Sequence, residues 1–262
     1  MADAKPRPSP RILTVTGAGH ITPNMIRVTL TAPFVRELPA GIEGAHCKLY
    51  LPEPGESAST FEMRLQLGPR PEVRTYTIRH IRPEASEIEI DFVDHGDVGP
   101  ASAWARAAVS GSVCGFGGPG PVKLKSFYAD TYLVAADMSA LPVAAATLEA
   151  MPRDAKGLAI FEITHPDDAQ AIDAPSGVAL RWLTHPHPHI SSQQAVDIIR
   201  DLPPFDGSVQ TCIAGESTVI QALRAHLMNE RRLAKVDTYI SGYWKIGLIE
   251  DEHQKFKRET AA

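Results

Sequence analysis

The chain has 262 residues, of which 44% are hydrophobic and 22% are charged, and its net charge is −5 at pH 7. This is ordinary globular composition, long enough for one large domain or two moderate ones. The acidic balance argues against a nucleic-acid-binding protein, which normally carries a basic excess.

Targeting and redox signals are few. The N-terminus lacks the apolar stretch of a secretory signal, and no segment is long and apolar enough to span a bilayer. The three cysteines are widely spaced and form no Cys-x-x-Cys pair, which favours a reducing compartment. We therefore expect a soluble cytoplasmic protein without membrane insertion.

The first half of the chain has the pattern of β structure. Strands are predicted where β-branched residues cluster between turn signals, at residues 11–16, 25–31, 46–51, 73–81, 87–94 and 112–116. The clearest strand begins at Glu87 and reads Glu-Ile-Glu-Ile-Asp-Phe, whose strict alternation predicts one buried face. A short helix is expected from Pro100 to about Ala108, because proline suits the first helical turn.

After Tyr128 the pattern changes to alternating strands and helices. Strands are predicted at residues 131–136, 158–164, 178–183, 208–214 and 236–241, and helices at 139–150, 191–200, 216–231 and 246–258. Such alternation predicts a doubly wound parallel sheet with helices on both faces. A glycine-proline segment at 115–121 predicts the boundary between an all-β domain, 1–122, and an α/β domain, 123–262.

The first chemical motif is Arg74-Thr75-Tyr76-Thr77-Ile78-Arg79 on a predicted strand. Unless a bulge intervenes, alternate residues of the motif share one face of the strand. Arginine offers a planar fork to phosphate oxygens, tyrosine a flat surface to an aromatic ring, and threonine a hydroxyl that donates and accepts. The motif could hold a flavin and its pyrophosphate, or it could be an ordinary exposed strand.

The second motif runs from His95 to Trp104, where a glycine-rich turn leads into the predicted helix. Unbonded N–H groups and the helix dipole make such a start a natural anion site, and Ser102 adds a hydroxyl donor. The alternative is a plain helix cap with Trp104 in the core.

Taken in order, Arg-x-Tyr-Thr-x-Arg, His-Gly and Gly-Pro-Ala-Ser-x-Trp resemble the siderophore-interacting protein family, FAD-containing ferric-siderophore reductases of the ferredoxin-reductase-like superfamily. The resemblance continues in three later segments, Ala136–Pro142, Ala214–Glu216 and Gly242–Gly247, and spans about Arg11 to the end. It implies an antiparallel flavin-binding β-barrel followed by a doubly wound parallel-sheet domain that binds a nicotinamide cofactor.

The resemblance also implies roles for single residues. Arg74 would meet the FAD pyrophosphate, Tyr76 would lie against the isoalloxazine, and Thr77 would hydrogen-bond near its reactive nitrogen. Further cofactor-binding residues in the first domain would be Arg79, Asp91, Val93, His95, Gly96, Gly99, Ala101 and Ser102. The nicotinamide cofactor would contact Asp137, Ser139, Ala140, Leu141, Gly215, Glu216, Tyr243 and Trp244. Lys245 and Lys255 are candidates for binding an anionic ferric siderophore.

The implied activity is electron transfer from NADH or NADPH, through FAD, to siderophore-bound ferric iron. The flavin carries that chemistry, so no catalytic residue is assigned beyond Thr77 near the flavin. Two alternatives stay open: a flavin reductase with another acceptor, and a non-catalytic flavin- and siderophore-binding protein.

The electron donor is open as well. Met138 stands where the family usually has glutamate, which leaves NADH, NADPH and ferredoxin as candidates. The acidic loop His165–Asp168 favours NADH, whereas Arg181 or Arg224 could serve the extra phosphate of NADPH. His185-Pro186-His187-Pro188-His189 is interpreted as an extended loop, and no metal site is expected.

Overall fold

A computed structural model of the chain describes residues 10–96 and 99–248. The chain divides into two compact units. The barrel unit comprises Met1–Ile21 and Met25–Val122, and the α/β unit comprises Thr22–Asn24 and Lys123–Ala262. No helix within the described ranges has both the length and the apolar character needed to cross a bilayer.

The barrel unit is a closed antiparallel barrel with strand order β1-β2-β5-β4-β3-β6. Its strands are β1 (Arg11–Thr22), β2 (Met25–Thr31), β3 (His46–Leu51), β4 (Glu72–Arg82), β5 (Glu87–Val93) and β6 (Val113–Gly117). All six correspond to predicted strands. β1 continues six residues beyond the prediction, because its second half is largely exposed and carries no apolar alternation.

Two helices accompany the barrel, α1 (Ala58–Leu67) and α2 (Pro100–Ala107). α2 was predicted, whereas α1 falls in a half expected to be all-β with one short helix. Phe61 is the one buried residue of α1, so the sequence has no apolar stripe from which this helix could be predicted. The available signal is its N-cap, where the Ser57 hydroxyl accepts a hydrogen bond from the Thr60 amide at 3.1 Å.

The barrel core follows the alternation of β5 and departs from it on β4. Ile88, Ile90 and Phe92 are fully buried, as the pattern predicts. On β4 three consecutive residues, 77–79, are buried, which simple alternation cannot give. The pairing of β4 with β5 shifts register between Ile78 and His80, so a bulge changes the direction of the side chains there.

The α/β unit contains a five-stranded sheet of order β11-β10-β7-β8-β9 in which all neighbouring strands are parallel. The strands are β7 (Thr131–Asp137), β8 (Lys156–Ile163), β9 (Gly177–Thr184), β10 (Val209–Glu216) and β11 (Thr238–Trp244). The helices are α3 (Leu141–Ala150), α4 (Gln194–Arg200) and α5 (Ser217–Arg224), followed by a π-helical segment, Ala225–Glu230. This is the predicted doubly wound topology.

Several predicted helix bounds were wrong. α3 begins two residues later than predicted, α4 three, and α5 one, because Glu216 belongs to β10. Of the predicted terminal helix, residues 246–248 are not helical, and residues 249–258 lie outside the described part of the chain.

All three cysteines, Cys47, Cys114 and Cys212, are unpaired and buried. Burial raises the pKa of the Cys47 thiol to about 12 and that of Cys212 to about 11, and it also raises the pKa of Cys114. The thiols therefore stay protonated and pack as small hydrophobic side chains.

An ion pair joins the outer faces of β2 and β5. Arg27 and Asp91 lie directly opposite each other in the sheet. The Nε and Nη2 atoms of Arg27 donate to the two Asp91 oxygens at 2.7 and 2.8 Å, and the Asp91 side chain is only 1% exposed. A buried, bidentate pair of this kind is costly to break from one side.

We expect Asp91→Ala to lower the free energy of unfolding by about 3 kcal/mol, because it removes the carboxylate that two Arg27 nitrogens bind. Glu87→Gln is the matched control, since Glu87 and its partner Arg82 are 30% and 38% exposed. That control should cost less than about 1 kcal/mol. Urea unfolding followed by tryptophan fluorescence measures both losses, and equal losses would contradict the prediction.

Candidate functional site

The first predicted site residues lie on β4. The Arg74 side chain is 16% exposed; its Nη1 donates to the Val73 carbonyl at 3.0 Å and pairs with Glu72. The Tyr76 ring packs 4.3 Å from the Phe92 ring, centroid to centroid. Thr77 is buried and lies opposite His46 of β3. The strand therefore presents a cation, an aromatic ring and a hydroxyl in sequence.

Lys48 on β3 is a polar residue near this motif that the sequence analysis missed. It lies opposite Thr75, and its Nζ donates a hydrogen bond to the Thr75 hydroxyl. Lys48 could be identified only from the pairing register of β3 and β4, which cannot be read from the sequence.

The start of α2 has no side-chain cap. Its N-cap, Gly99, has no side-chain cap hydrogen bond, and Pro100 has no N–H. The first helical hydrogen bond comes from Ala103 to the Gly99 carbonyl at 2.9 Å. Among the described residues, the amides of Ala101 and Ser102 thus have no intrahelical partner. A Cβ atom placed on Gly99 would meet nothing within 4 Å, so no described residue beyond its chain neighbours crowds the N-cap.

Three polar groups of the turn before α2 make hydrogen bonds within the protein. The Ser102 hydroxyl donates to the Gly96 carbonyl at 2.9 Å and accepts from the His95 amide at 3.0 Å. The Gly96 amide donates to Asp94 Oδ1 at 2.8 Å. These hydrogen bonds stabilise the turn, and they involve the His95 and Gly96 amides and the Ser102 hydroxyl.

Asp94, absent from the predicted set, organises this turn. Besides Gly96, its carboxylate binds Arg106 Nη1 at 3.1 Å and His20 Nε2 at 2.8 Å. Burial acts to raise the pKa of Asp94, but hydrogen bonds from His20, the Gly96 amide and Arg106 lower it to about 2. The group is therefore ionised across the physiological range.

The β4 motif and the α2 start are neighbours. Phe92 of β5 lies between them, 4.3 Å from the Tyr76 ring and 5.6 Å from the Trp104 ring. Trp104 and Tyr76 both pack against the barrel core. The residues present therefore fit FAD, with an arginine and open helix amides for its pyrophosphate and a tyrosine for its ring.

Three other predicted FAD contacts, Asp91, Arg79 and Val93, also lie on β4 and β5. Both Asp91 oxygens accept from Arg27, as described above. Arg79 is 4% exposed at the β4 bulge, and Val93 ends β5 opposite Met25. These three assignments stay predictions.

The second cluster lies at the carboxyl edge of the parallel sheet, where the strand order reverses between β7 and β10. Asp137 is half-buried there at the end of β7. Its Oδ1 accepts from the Ser139 amide and hydroxyl at 2.9 and 2.6 Å and from the Ala140 amide at 3.3 Å. Its Oδ2 accepts from the Glu216 amide at 2.8 Å and from Trp244 Nε1 at 2.7 Å.

Gly215 is required by this arrangement. Its φ is 151°, and a Cβ atom there would lie 2.6 Å from Asp137 Oδ2. Burial raises the pKa of Asp137, and hydrogen bonds from Ser139, Trp244, Glu216 and Ala140 oppose that rise. Every hydrogen bond described for this carboxylate is one that it accepts, which is the pattern of an ionised group.

Glu216 caps α5. Its Oε2 accepts from the Thr218 and Val219 amides at 2.7 and 3.1 Å, and its Oε1 from the Thr218 hydroxyl at 3.2 Å. With Asp137 and Glu162 it lines a small cleft of about 30 Å³. Burial, partly offset by a hydrogen bond from Ser192, raises the pKa of Glu162.

The structure thus brings together five predicted residues of the nicotinamide set: Asp137, Ser139, Ala140, Glu216 and Trp244, with Gly215 between them. The Glu216 side chain caps α5, whereas the N-cap of α3, Ala140, makes no side-chain cap hydrogen bond.

The remaining predicted donor contacts follow or flank residues of that cluster in the sequence. Leu141 is buried at the start of α3, and the Tyr243 hydroxyl lies 3.0 Å from that of Tyr239. Lys245 follows β11, and Lys255 lies outside the described residues.

Two of the residues weighed for NADH or NADPH, Asp168 and Arg224, have hydrogen-bond partners within the protein. Asp168 is fully buried and accepts from the Asn24 amide at 2.8 Å and the Thr164 hydroxyl at 3.0 Å, so it cannot face a ribose. Arg224 donates to the Ile240 carbonyl. In the loop with three histidines, His185 Nε2 lies 2.8 Å from the Ile190 carbonyl.

Comparisons with known proteins agree with these features. Residues 14–123 match the model of the siderophore-interacting FAD-binding domain, and residues 129–247 match that of the siderophore-interacting protein family. The chain is 31% identical to the ferric vibriobactin reductase ViuB of Vibrio cholerae, over 97% of this chain and 96% of that protein.

Solved structures give the same result. The siderophore-interacting protein SipS from Aeromonas hydrophila superposes with a TM-score of 0.83 at 31% identity, covering 98% of this chain and 99% of SipS. Ferredoxin-NADP+ reductase from Plasmodium falciparum shares the fold, with a TM-score of 0.63 at 11% identity over 89% and 96% of the two chains. The chain therefore belongs to the siderophore-interacting protein family, and its fold is that of the ferredoxin reductases.

Proposed function

We propose that this protein is an FAD-dependent reductase of ferric siderophores. The observation that carries the proposal is the adjacency of the Arg74–Tyr76–Thr77 strand to an uncapped helix start within a domain that matches the siderophore-interacting FAD-binding model. Relatives named ferric vibriobactin reductase and ferric acinetobactin reductase support ferric siderophores as the substrate class.

The barrel unit would hold FAD through three kinds of contact. The Arg74 guanidinium and the amides of Ala101 and Ser102 would bind the pyrophosphate, as cations and helix N-termini bind phosphate generally. The Tyr76 ring, supported by Phe92, would lie against the isoalloxazine. The Thr77 hydroxyl would hydrogen-bond near the reactive nitrogen of the flavin.

When bound, FAD accepts electrons from a donor and passes them singly to ferric iron in the siderophore. The chain itself supplies position and polarity. Asp94, Ser102 and Gly96 keep the turn before α2 in one shape, so that the α2 amides stay directed at the same point. Lys245 would attract an anionic ferric siderophore by its charge.

The proposed donor is NADH or NADPH, with a ferredoxin as the alternative. The proposed compartment is the cytoplasm, which the three unpaired thiols favour. Another electron acceptor, such as a quinone or free flavin, and a purely carrying role are the competing functions.

Function is tested with the flavin reduced photochemically under anaerobic conditions, so that the result does not depend on the donor. The FAD-loaded protein should show absorption bands near roughly 380 and 450 nm that bleach on reduction. Adding a ferric catecholate or hydroxamate siderophore should restore the bands and release Fe(II), trapped by a ferrous chelator. Restoration by quinones but by neither ferric siderophore would overturn the proposed substrate class, and restoration by no acceptor would favour a carrier.

Arg74→Ala should weaken FAD binding about tenfold to a hundredfold, because it removes one charge-assisted phosphate contact. The control is Arg70→Ala, an exposed arginine four residues earlier that has no proposed contact. Fluorescence titration of the apoprotein with FAD measures both. Equal affinity in the two variants would refute the role of Arg74.

Asp94→Asn should loosen the turn and weaken FAD retention severalfold, with little effect on unfolding of the barrel. Because the folded-state pKa of Asp94 is depressed from 3.8 to about 2, its contribution is complete above about pH 4 and is lost as the pH falls toward 2. FAD retention of the wild type should therefore fall across that range more steeply than that of Asp94→Asn. Parallel pH profiles would exclude this role for Asp94.

A further inference from the structure

His46 and Thr77 lie directly opposite each other on β3 and β4. Opposed residues of an antiparallel pair project their side chains to the same face of the sheet, with Cβ atoms about 4.5–5.5 Å apart. Lys48 and Thr75 form the next pair on that face, and the lysine Nζ donates a hydrogen bond to the threonine hydroxyl. Cross-strand pairs thus bring polar groups together on this face, and the His46 imidazole lies beside the Thr77 side chain.

The His46 ring is confined on the outer face of β3 by the segment that follows β6. Its neighbour on β3, Cys47, faces the barrel core. A Cβ atom placed on Gly120 would overlap the His46 ring, so only glycine allows this close approach of the backbone. The Gly120 amide also donates to the His46 carbonyl at 2.8 Å. The ring therefore has a defined place beside β4.

The two opposed residues differ in their access to water and in their proton chemistry. Thr77 is only 6% exposed, whereas His46 is half-buried. A threonine hydroxyl can accept one proton only while it gives up another, whereas an imidazole gains and loses a proton near neutral pH. A proton that reaches the Thr77 hydroxyl can therefore leave through the imidazole beside it.

The other charged groups around this pair cannot take that role. Lys48 and Arg79 are the charged residues within two positions of the pair on β3 and β4. Lysine and arginine side chains are cations at neutral pH and have no acceptor atom. The segment 116–122, which packs beside His46, contains no titratable side chain. Among these described groups, the imidazole is the proton acceptor.

The proposed reaction releases a proton at the flavin. Hydride transfer from a nicotinamide donor gives FADH⁻, which carries a hydrogen on its reactive nitrogen, N5. When FADH⁻ gives one electron to each of two ferric ions, the products are oxidised FAD, two ferrous ions and the N5 proton. The first electron can leave with this proton in place, whereas loss of the second is complete only when the proton has gone. A base within reach of N5 therefore accelerates the second step.

We propose that His46 accepts the N5 proton through the Thr77 hydroxyl and passes it to water. The Thr77 hydroxyl takes the proton from N5 and gives its own to the neutral imidazole, so threonine is unchanged at the end. The imidazolium then releases the proton to solvent from its half-buried position. The inference rests on the proposed function, since the position of N5 follows from the proposed role of Thr77.

The test follows reoxidation of the photoreduced, FAD-loaded protein by a ferric trihydroxamate siderophore in anaerobic stopped flow, between about pH 5.5 and 8.5. The wild-type rate should fall severalfold toward the acid end, because a protonated imidazole accepts no proton. At about pH 8, His46→Gln should be at least about tenfold slower than wild type, and it should lose this pH dependence. The control is His80→Gln, which removes a half-buried histidine of β4 that lies 2.7 Å from Glu89 and should keep the wild-type profile.

Two further variants separate proton transfer from a structural role. Added imidazole should restore the rate of His46→Ala at least about fivefold, because the free base enters the space that the ring leaves, and it should not change the rate of His80→Gln. In Gly120→Ala the imidazole is present but displaced by the new methyl group. Reoxidation should therefore slow in Gly120→Ala while the protein still retains FAD.

A second readout does not depend on turnover. In proton–nitrogen NMR spectra of the protein with labelled histidines, the His46 ring signals are identified by their loss in His46→Gln. These signals should shift when FAD binds to the apoprotein, because the proposed flavin position is beside Thr77. The ring signals of His80 should stay where they are.

Three results would overturn the inference: the same pH profile for His46→Gln and His80→Gln, no restoration of His46→Ala by imidazole, or His46 ring signals that do not move when FAD binds. Failure of the proposed function has a different signature. The photoreduced wild type would then reduce no ferric siderophore at any pH, even with His46 signals that respond to FAD.

Discussion

One half-buried carboxylate, that of Asp137, joins three strand ends at the carboxyl edge of the α/β unit. A charged group inside a protein is stable only where hydrogen bonds replace water. The donors that do so come from the turn after β7, from the end of β10 and from the indole of Trp244. The positions of three strand ends, and the need for glycine at residue 215, follow from this single group.

Much of the fold could be predicted because local pattern and tertiary structure agree. The alternation from Glu87 gave a strand with Ile88, Ile90 and Phe92 inward, and the strand–helix alternation after Tyr128 gave the parallel sheet. α1 could not be predicted from periodicity, because only Phe61 among its residues is buried. The bulge in β4 depends on pairing with β5, which sequence spacing does not encode.

The sequence indicated which positions belong to the site, but it could not indicate which of their polar atoms are already hydrogen-bonded within the protein. The motifs named Ser102, Asp137 and Glu216 as ligand contacts, and the structure gives each of them to a partner in the protein. Those partners are distant in sequence: Trp244 is 107 residues from Asp137, and Asp94 binds His20 74 residues away. Asp94 was missed for the same reason, since two of its three donors, His20 and Arg106, are distant in sequence.

The three buried thiols have a consequence for a protein that handles iron. Ferrous iron and oxygen generate peroxide, which attacks exposed thiolates before most other side chains. Here every sulfhydryl is protonated and screened by packed atoms. Oxidative damage in such a setting would therefore fall first on methionines at the surface, such as Met63, which is 63% exposed.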